Sequence, residues 1–292
     1  MNRAFAAVLA VLVLGGCGSS SKSHSAASKP RPGSLDALWH DGDESVGLIS
    51  GTFDYSVGDV RVSFLVVRHD AQQVVAPRAL VHVARSRSAR PFARTWARLE
   101  RTGPNPIFVA HLTIRKPGRY WIVAAPTGSR VRGLGTLDVQ AASQSPAIGS
   151  KAPPSRTPTI ASTHGDFAAL TTRTPPDKGL LRYSVAGSLA AHKPFVVVFA
   201  TPKFCTSRTC GPVVDVVDAV RRRFGRTGVR FIHVEVYKRN DPTLGVNDFM
   251  RQWQLPGEPW IFLVGADGRI KAKLAGPVSA GELGGEVRRT LL

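Results

Sequence analysis

Apolar residues recur at two different spacings along this chain, and the change from one to the other divides it in half. In residues 60–67, 79–84, 107–114 and 119–124, β-branched and aromatic residues alternate in part with polar ones, which predicts short strands. Lys116-Pro-Gly118 is a turn between the last two. Strands of this length with Pro and Gly between them predict an all-β sandwich over residues 37–140. Beyond residue 158 apolar runs alternate with helical periodicity. A helical stretch near 183–192 leads to an apolar strand at 195–199. A helix follows with Val213, Val214, Val216, Val217, Val220 and Phe224 on one stripe. Then come a strand at 229–237, a helix near 246–253, a strand ending at Val264, the turn Gly265-Ala-Asp-Gly268, a strand at 269–274 and a last helix over 279–292. The order βαβ, α, ββα predicts an α/β domain over residues 159–292.

Two stretches break these patterns. Residues 18–36 are rich in Ser, Gly, Lys and Pro without periodicity and read as a flexible tether; residues 141–158, with Pro146, Pro153, Pro154 and Pro158, read as a linker between the halves. Ahead of the tether, Arg3, an apolar run over 4–14 and the segment Leu14-Gly-Gly-Cys17 resemble a bacterial lipoprotein signal over residues 1–17. That resemblance implies acylation at Cys17 and a mature chain held by lipid on the extracytoplasmic face of the cell membrane. An ordinary secretory signal or a short membrane anchor is the alternative. The run is shorter than the roughly 20 residues a spanning helix needs.

Composition changes the picture little. With 292 residues and 43% hydrophobic content, two cores can be built. The net charge of +19 fits anionic lipid, cell-wall polymers or a solvated surface. Nucleic acid is not expected as a partner, since no aromatic platform is interleaved with the arginines. Arg90, Arg94, Arg98 and Arg101 have near-helical spacing and read as a solvated loop or helix face. His69, His82 and His111 read as single residues on sheet faces. No metal or cofactor is expected, and neither a Gly-rich phosphate loop nor a Ser/His/Asp arrangement is present.

The chemistry is concentrated at Cys205 and Cys210, between an apolar strand and an amphipathic helix whose N-terminus can stabilise a thiolate. With Cys17 acylated, one pair remains for one bridge. Lys203 and Arg208 should lower a thiol pKa; Glu258, if near, should raise it, or pair with Arg208 instead.

Residues 146–292 resemble the thioredoxin superfamily, in particular membrane-anchored thiol-disulfide oxidoreductases of the TlpA kind. Ala147-Ile-Gly-Ser-Lys-Ala-Pro153, Val196-Val-Val-Phe-Ala200 and Glu258-Pro-Trp-Ile-Phe-Leu-Val-Gly-Ala-Asp-Gly-Arg-Ile270 carry the likeness. It implies a cis peptide at Glu258–Pro259, beside the cysteines. Two departures stand out. The cysteines are four residues apart instead of two, so either Cys205 is the family's first cysteine in an expanded motif, or Cys210 is the first and Val213 replaces the second. Val198 occupies the place of a buried proton-relay acid. Over residues 40–140, Lys116-Pro-Gly-Arg-Tyr-Trp loosely resembles the late strands of immunoglobulin-like domains.

Three functions follow from these residues. The first is thiol-disulfide exchange with a protein thiol or disulfide through Cys205, Cys210 and Pro259. The second is a non-catalytic scaffold in which the bridge is structural. The third is a copper carrier using the cysteines with His233 or His192, against which stands the lack of any methionine besides Met1 and Met250.

Overall fold

The computed structural model describes residues 29–103, 105–205 and 209–292. The leader 1–17 with Cys17, most of the tether, and Arg208 lie outside the described residues. Ser34 caps a short helix α1 (Leu35–Trp39), its hydroxyl accepting from the Ala37 N–H. Eight strands follow: β1 (Glu44–Ser50), β2 (Tyr55–Ser56), β3 (Gly58–Val66), β4 (Arg78–Ala84), β5 (Ala93–Glu100), β6 (Ile107–Ile114), β7 (Gly118–Pro126) and β8 (Val131–Gln140). The second half holds α2 (Val185–Ala190), β9 (Phe195–Phe199), α3 (Cys210–Phe224), β10 (Arg230–Val234), α4 (Asp248–Gln252), β11 (Trp260–Val264), β12 (Ile270–Ala275) and α5 (Ala280–Leu291).

Seven strands of the first half form a closed ring in the order β1-β3-β6-β5-β4-β7-β8, with β8 returning to β1 and β2 attached to β8. The sequence predicts a sandwich of separate sheets; here the hydrogen bonding is continuous instead. Closure comes from parallel pairing of Glu44–Gly47 with Val131–Leu134. Alternation does not announce β8, because Gly133 and Gly135 interrupt it and glycine weakens a strand signal. Both glycines lie against the Leu48 side chain of β1, which a Cβ on either would press upon. The ring encloses an apolar core in which Phe64 and Phe108, cross-strand partners, stack at 5.5 Å. The arginine series is not a helix face. Arg94 and Arg98 lie on strand β5, exposed, because a spacing of four satisfies a period of two as well as that of a helix.

The second sheet has the order β10-β9-β11-β12, with β10 parallel to β9, and β11 antiparallel to both β9 and β12. All five residues of β9 and of β11 are buried. Alternation sends Val196, Val198, Ile261 and Leu263 toward α3 and α5. Phe195, Val197 and Phe199 face the opposite way, toward Val185 of α2 and Met250 of α4. Part of the expected linker is tied down: the Gly149 N–H donates to the Ile270 carbonyl, and the Ile270 N–H to that of Ser150, along the edge of β12. Among the described residues no helix is long and apolar enough to cross a membrane.

The ring and the second sheet meet at a polar joint. Arg61 of β3 pairs with Glu282 of α5 and also donates to the carbonyls of Ala275 and Pro277. Both side chains are close to nine-tenths buried. Beside them the Ser279 hydroxyl, which caps α5, donates to Glu100 at 2.6 Å. Gly276, at φ +80°, lies against the Gly51 carbonyl, where a Cβ would collide. Truncating one partner of so buried a pair leaves the other charge without compensation. Arg61→Ala is therefore expected to cost about 3 kcal/mol in chemical denaturation; a loss below about 0.5 kcal/mol would show that the joint contributes little.

Candidate functional site

The antiparallel register of β9 and β11 builds the site. Phe199 lies opposite Trp260, so the chain leaving β9 toward the cysteines runs beside the chain arriving through Glu258 and Pro259. Two residues beyond that pair, the Thr201 N–H donates to the Glu258 carboxylate. Cys205 and Cys210 are joined in a disulfide with Cα atoms 5.9 Å apart. Cys210 is the first residue of α3 and is wholly buried, while Cys205, in the preceding loop, is half-buried. Both cysteines thus lie ahead of or within the first turn of α3 and are bonded to each other. Val213, the rival second position, is an apolar core residue of α3. The Glu258–Pro259 peptide is cis, as the resemblance implies.

Glu258 completes the cluster. One of its carboxylate oxygens and the two sulfurs all lie within 4.8 Å of one another, the group of such donors that the described residues contain. Joined to each other, the sulfurs are not thiolates and offer no cation a site in this state. Burial pushes the Glu258 carboxyl up to about 7; the Thr201 N–H opposes this, and the charge of nearby Glu235 adds to it.

Glu235 was not recognisable as a site residue. It is buried at the end of β10, and one oxygen accepts from the Thr172 N–H and from the hydroxyls of Thr171 and Thr172. Its other oxygen has no hydrogen-bond partner among the described residues. The one signal for it was its place, with His233, in an otherwise apolar run, two residues apart and hence on one face. His233 is buried, its Nε2 at 2.8 Å from the Ala200 carbonyl and 4.0 Å from Glu235. Burial holds its pKa below the usual imidazole range, against the pull of Glu235.

The remaining predicted residues scatter. Lys203 is exposed, its backbone N–H donating to Thr172 and its ammonium 5.3 Å from the Phe204 ring. It lines an open cavity of about 770 Å³ with Arg173 and Arg239. Val198 is buried between Ile261 and His233 of the neighbouring strands, so β9 brings no acid to the site. Neither His233 nor exposed His192 belongs to the sulfur cluster, and among the described residues His69, His82 and His111 belong to no group of three or more such donors.

The ring walls the site on two sides. Phe53 packs edge-on against Trp260 at 5.7 Å, and Gly103 lies so close to Pro212 that a Cβ would meet it at 2.9 Å. Between them is a mainly apolar cleft of about 270 Å³, lined by Ile49, Phe53, Ile107, Pro259 and Pro277, with Thr209 and Glu258 also on its wall.

The chain matches no protein-family model and no curated protein. Among solved structures it is similar, over 36% of its length and 85% of the other chain, to a thiol:disulfide interchange protein of the thioredoxin family from Chlorobium tepidum TLS, at 18% identity and a TM-score of 0.30.

A carboxyl whose folded pKa is raised binds its proton more tightly in the native state. Its stabilising contribution is full below the unfolded value of 4.5 and is lost as pH rises through about 7. Wild-type stability should therefore fall between about pH 5 and pH 8 relative to Glu258→Gln. Denaturation midpoints across that range check this, and parallel curves for the two proteins would refute the burial of the charge.

Proposed function

We propose that this protein is an extracytoplasmic, lipid-anchored thioredoxin-like oxidoreductase that exchanges protein thiols and disulfides through Cys205 and Cys210. The observation that carries the reading is the disulfide itself: a wholly buried sulfur at the head of α3 bonded to a more accessible one, with cis-Pro259 alongside. The second sheet, with β10, β9, β11 and β12 flanked by helices on both faces, supports the thioredoxin-like assignment. On this reading Cys205 as thiolate attacks a client disulfide, and Cys210 then attacks Cys205 to release the reduced client. Lys203 favours the thiolate at Cys205 and Glu258 opposes it, with Arg208 a further favourable charge. The cleft between Phe53 and Pro259 receives the client chain.

Complete burial of Cys210 favours a second reading, in which the bridge merely staples a loop to α3 and contributes on the order of 2 kcal/mol. Copper carriage has less support, since neither His233 nor His192 joins the sulfurs.

Redox behaviour separates the first two. For an exchange protein, the pair should equilibrate with thiol buffers at a potential above about −300 mV, Cys205→Ser should abolish exchange, and Cys210→Ser should accumulate a mixed disulfide. A bridge that resists reduction by glutathione would leave the stapling role. Cys17→Ser is expected to move the protein from the membrane fraction to the soluble one; unchanged membrane association would remove the lipid anchor.

A further inference from the structure

Cys210 has a problem that its neighbours must solve. To resolve a mixed disulfide its thiol must lose a proton, and when the bridge is reduced the sulfur must regain one, yet it has no contact with solvent. A buried thiol in apolar surroundings gives up its proton reluctantly. The strand beneath it is no help, because all five residues of β9 are apolar and buried. On α3, Asp215 and Asp218 are engaged by Arg173, Arg221 and Arg222. Glu235, held on one oxygen by Thr171 and Thr172, lies outside the sulfur cluster, as does His233, whose Nε2 is bonded to the Ala200 carbonyl.

One carboxylate is placed to act. Glu258 stands at the mouth of β11, its position fixed by the β9–β11 register and by the Thr201 N–H on one oxygen, and its carboxylate and both sulfurs fall within 4.8 Å of one another. It is half-buried and lines the cleft next to Thr209, so it faces Cys210 on one side and the client's approach on the other. Resting on the exchange reading above, we infer that Glu258 takes the proton from Cys210 and passes it to the departing client thiolate, a role that β9 leaves unfilled.

The step balances. With a client disulfide, Cys205 thiolate attacks one client sulfur, the client S–S bond breaks, and the first client thiolate leaves. The Cys210 thiol gives its proton to the Glu258 carboxylate. The Cys210 thiolate attacks Cys205 Sγ, forming the intramolecular bridge and breaking the mixed disulfide, and the second client thiolate takes the proton back from Glu258. Two electrons pass from the protein's dithiol to the client, and Glu258 ends as it began. Run backwards, the same group protonates Cys210 as the bridge opens. A carboxyl that titrates near neutrality is suited to both directions.

Two other titratable groups interact with it: the charge of Glu235 repels the ionised form, and Tyr237 feels the charge of Glu258 in turn, while the two sulfurs lie within 4.8 Å.

The test follows the full chain, reduced, reacting once with oxidised glutathione from about pH 5.5 to 9, with mixed-disulfide formation and its resolution timed separately. In the wild type, the resolution rate should rise with pH and level off above about 7, following Glu258. Glu258→Gln, which can still accept from the Thr201 N–H, should slow resolution about a hundredfold at neutral pH and move its rise up to the ordinary thiol range, while the first step changes little. Glu258→Asp should restore part of the rate, with the break near neutrality. Native circular dichroism and a closed disulfide in the oxidised variants certify that they fold; should Gln fail this, the Asp profile decides alone. Resolution by either variant with the wild-type rate and profile overturns the role of Glu258 and leaves the exchange reading intact. A wild type that forms no mixed disulfide overturns the exchange reading itself.

Discussion

The pairing of β9 with β11 is the constraint on which this molecule's chemistry depends. Two antiparallel strands with Phe199 facing Trp260 carry their outgoing and incoming chains past the same point, and everything reactive hangs on those two chain ends. The cysteine loop follows one, and Glu258 and Pro259 precede the other. The pairing is secured by full burial of both strands, each side of which is packed by helices. A slip by one residue would turn Val196 and Val198 out of the α3–α5 core and carry Glu258 away from the Thr201 N–H. The sulfurs and the carboxylate are thus held in mutual reach by hydrophobic packing several residues away from them.

The ring contributes a wall instead of reactive groups. Its contacts with the second half include a buried ionic joint centred on Arg61 and Glu282, the Phe53–Trp260 ring pair, and close approaches of Gly276 to Gly51 and of Gly103 to Pro212. The ionic joint needs its whole set of acceptors, since the guanidinium is satisfied by a carboxylate and two carbonyls together. The close approaches bring Phe53 edge-on to Trp260 and leave a narrow cleft next to Pro259.

Much of the second half was legible from residues alone, because buried strands there are short unbroken apolar runs and helices have clear stripes; 195–199 and the span of α3 needed nothing more. The first half was less so. The strands 60–67, 79–84, 107–114 and 119–124 announce themselves, while β1, β5 and β8 do not: β8 is broken by the glycines that admit Leu48, and β5 is studded with exposed Arg94, Trp96 and Arg98. Closure of the ring depends on those silent strands and was out of reach. At the site, the cysteines and Pro259 could be picked out by type and order. Glu258 was singled out as a group that would matter if it came near the sulfurs, which register decides; that Glu235 is buried close enough to act on it is a product of packing that single residues do not encode.

Every strand of the ring has a hydrogen-bonded neighbour on each flank, because β8 turns back to β1. Closing the ring removes much of the rim on which a foreign strand could settle, so this half needs fewer of the charged or bulged borders by which open sheets avoid edge-to-edge aggregation. Its dealings with other molecules are left to loop tips and side chains, among them the exposed Phe92 and Trp96.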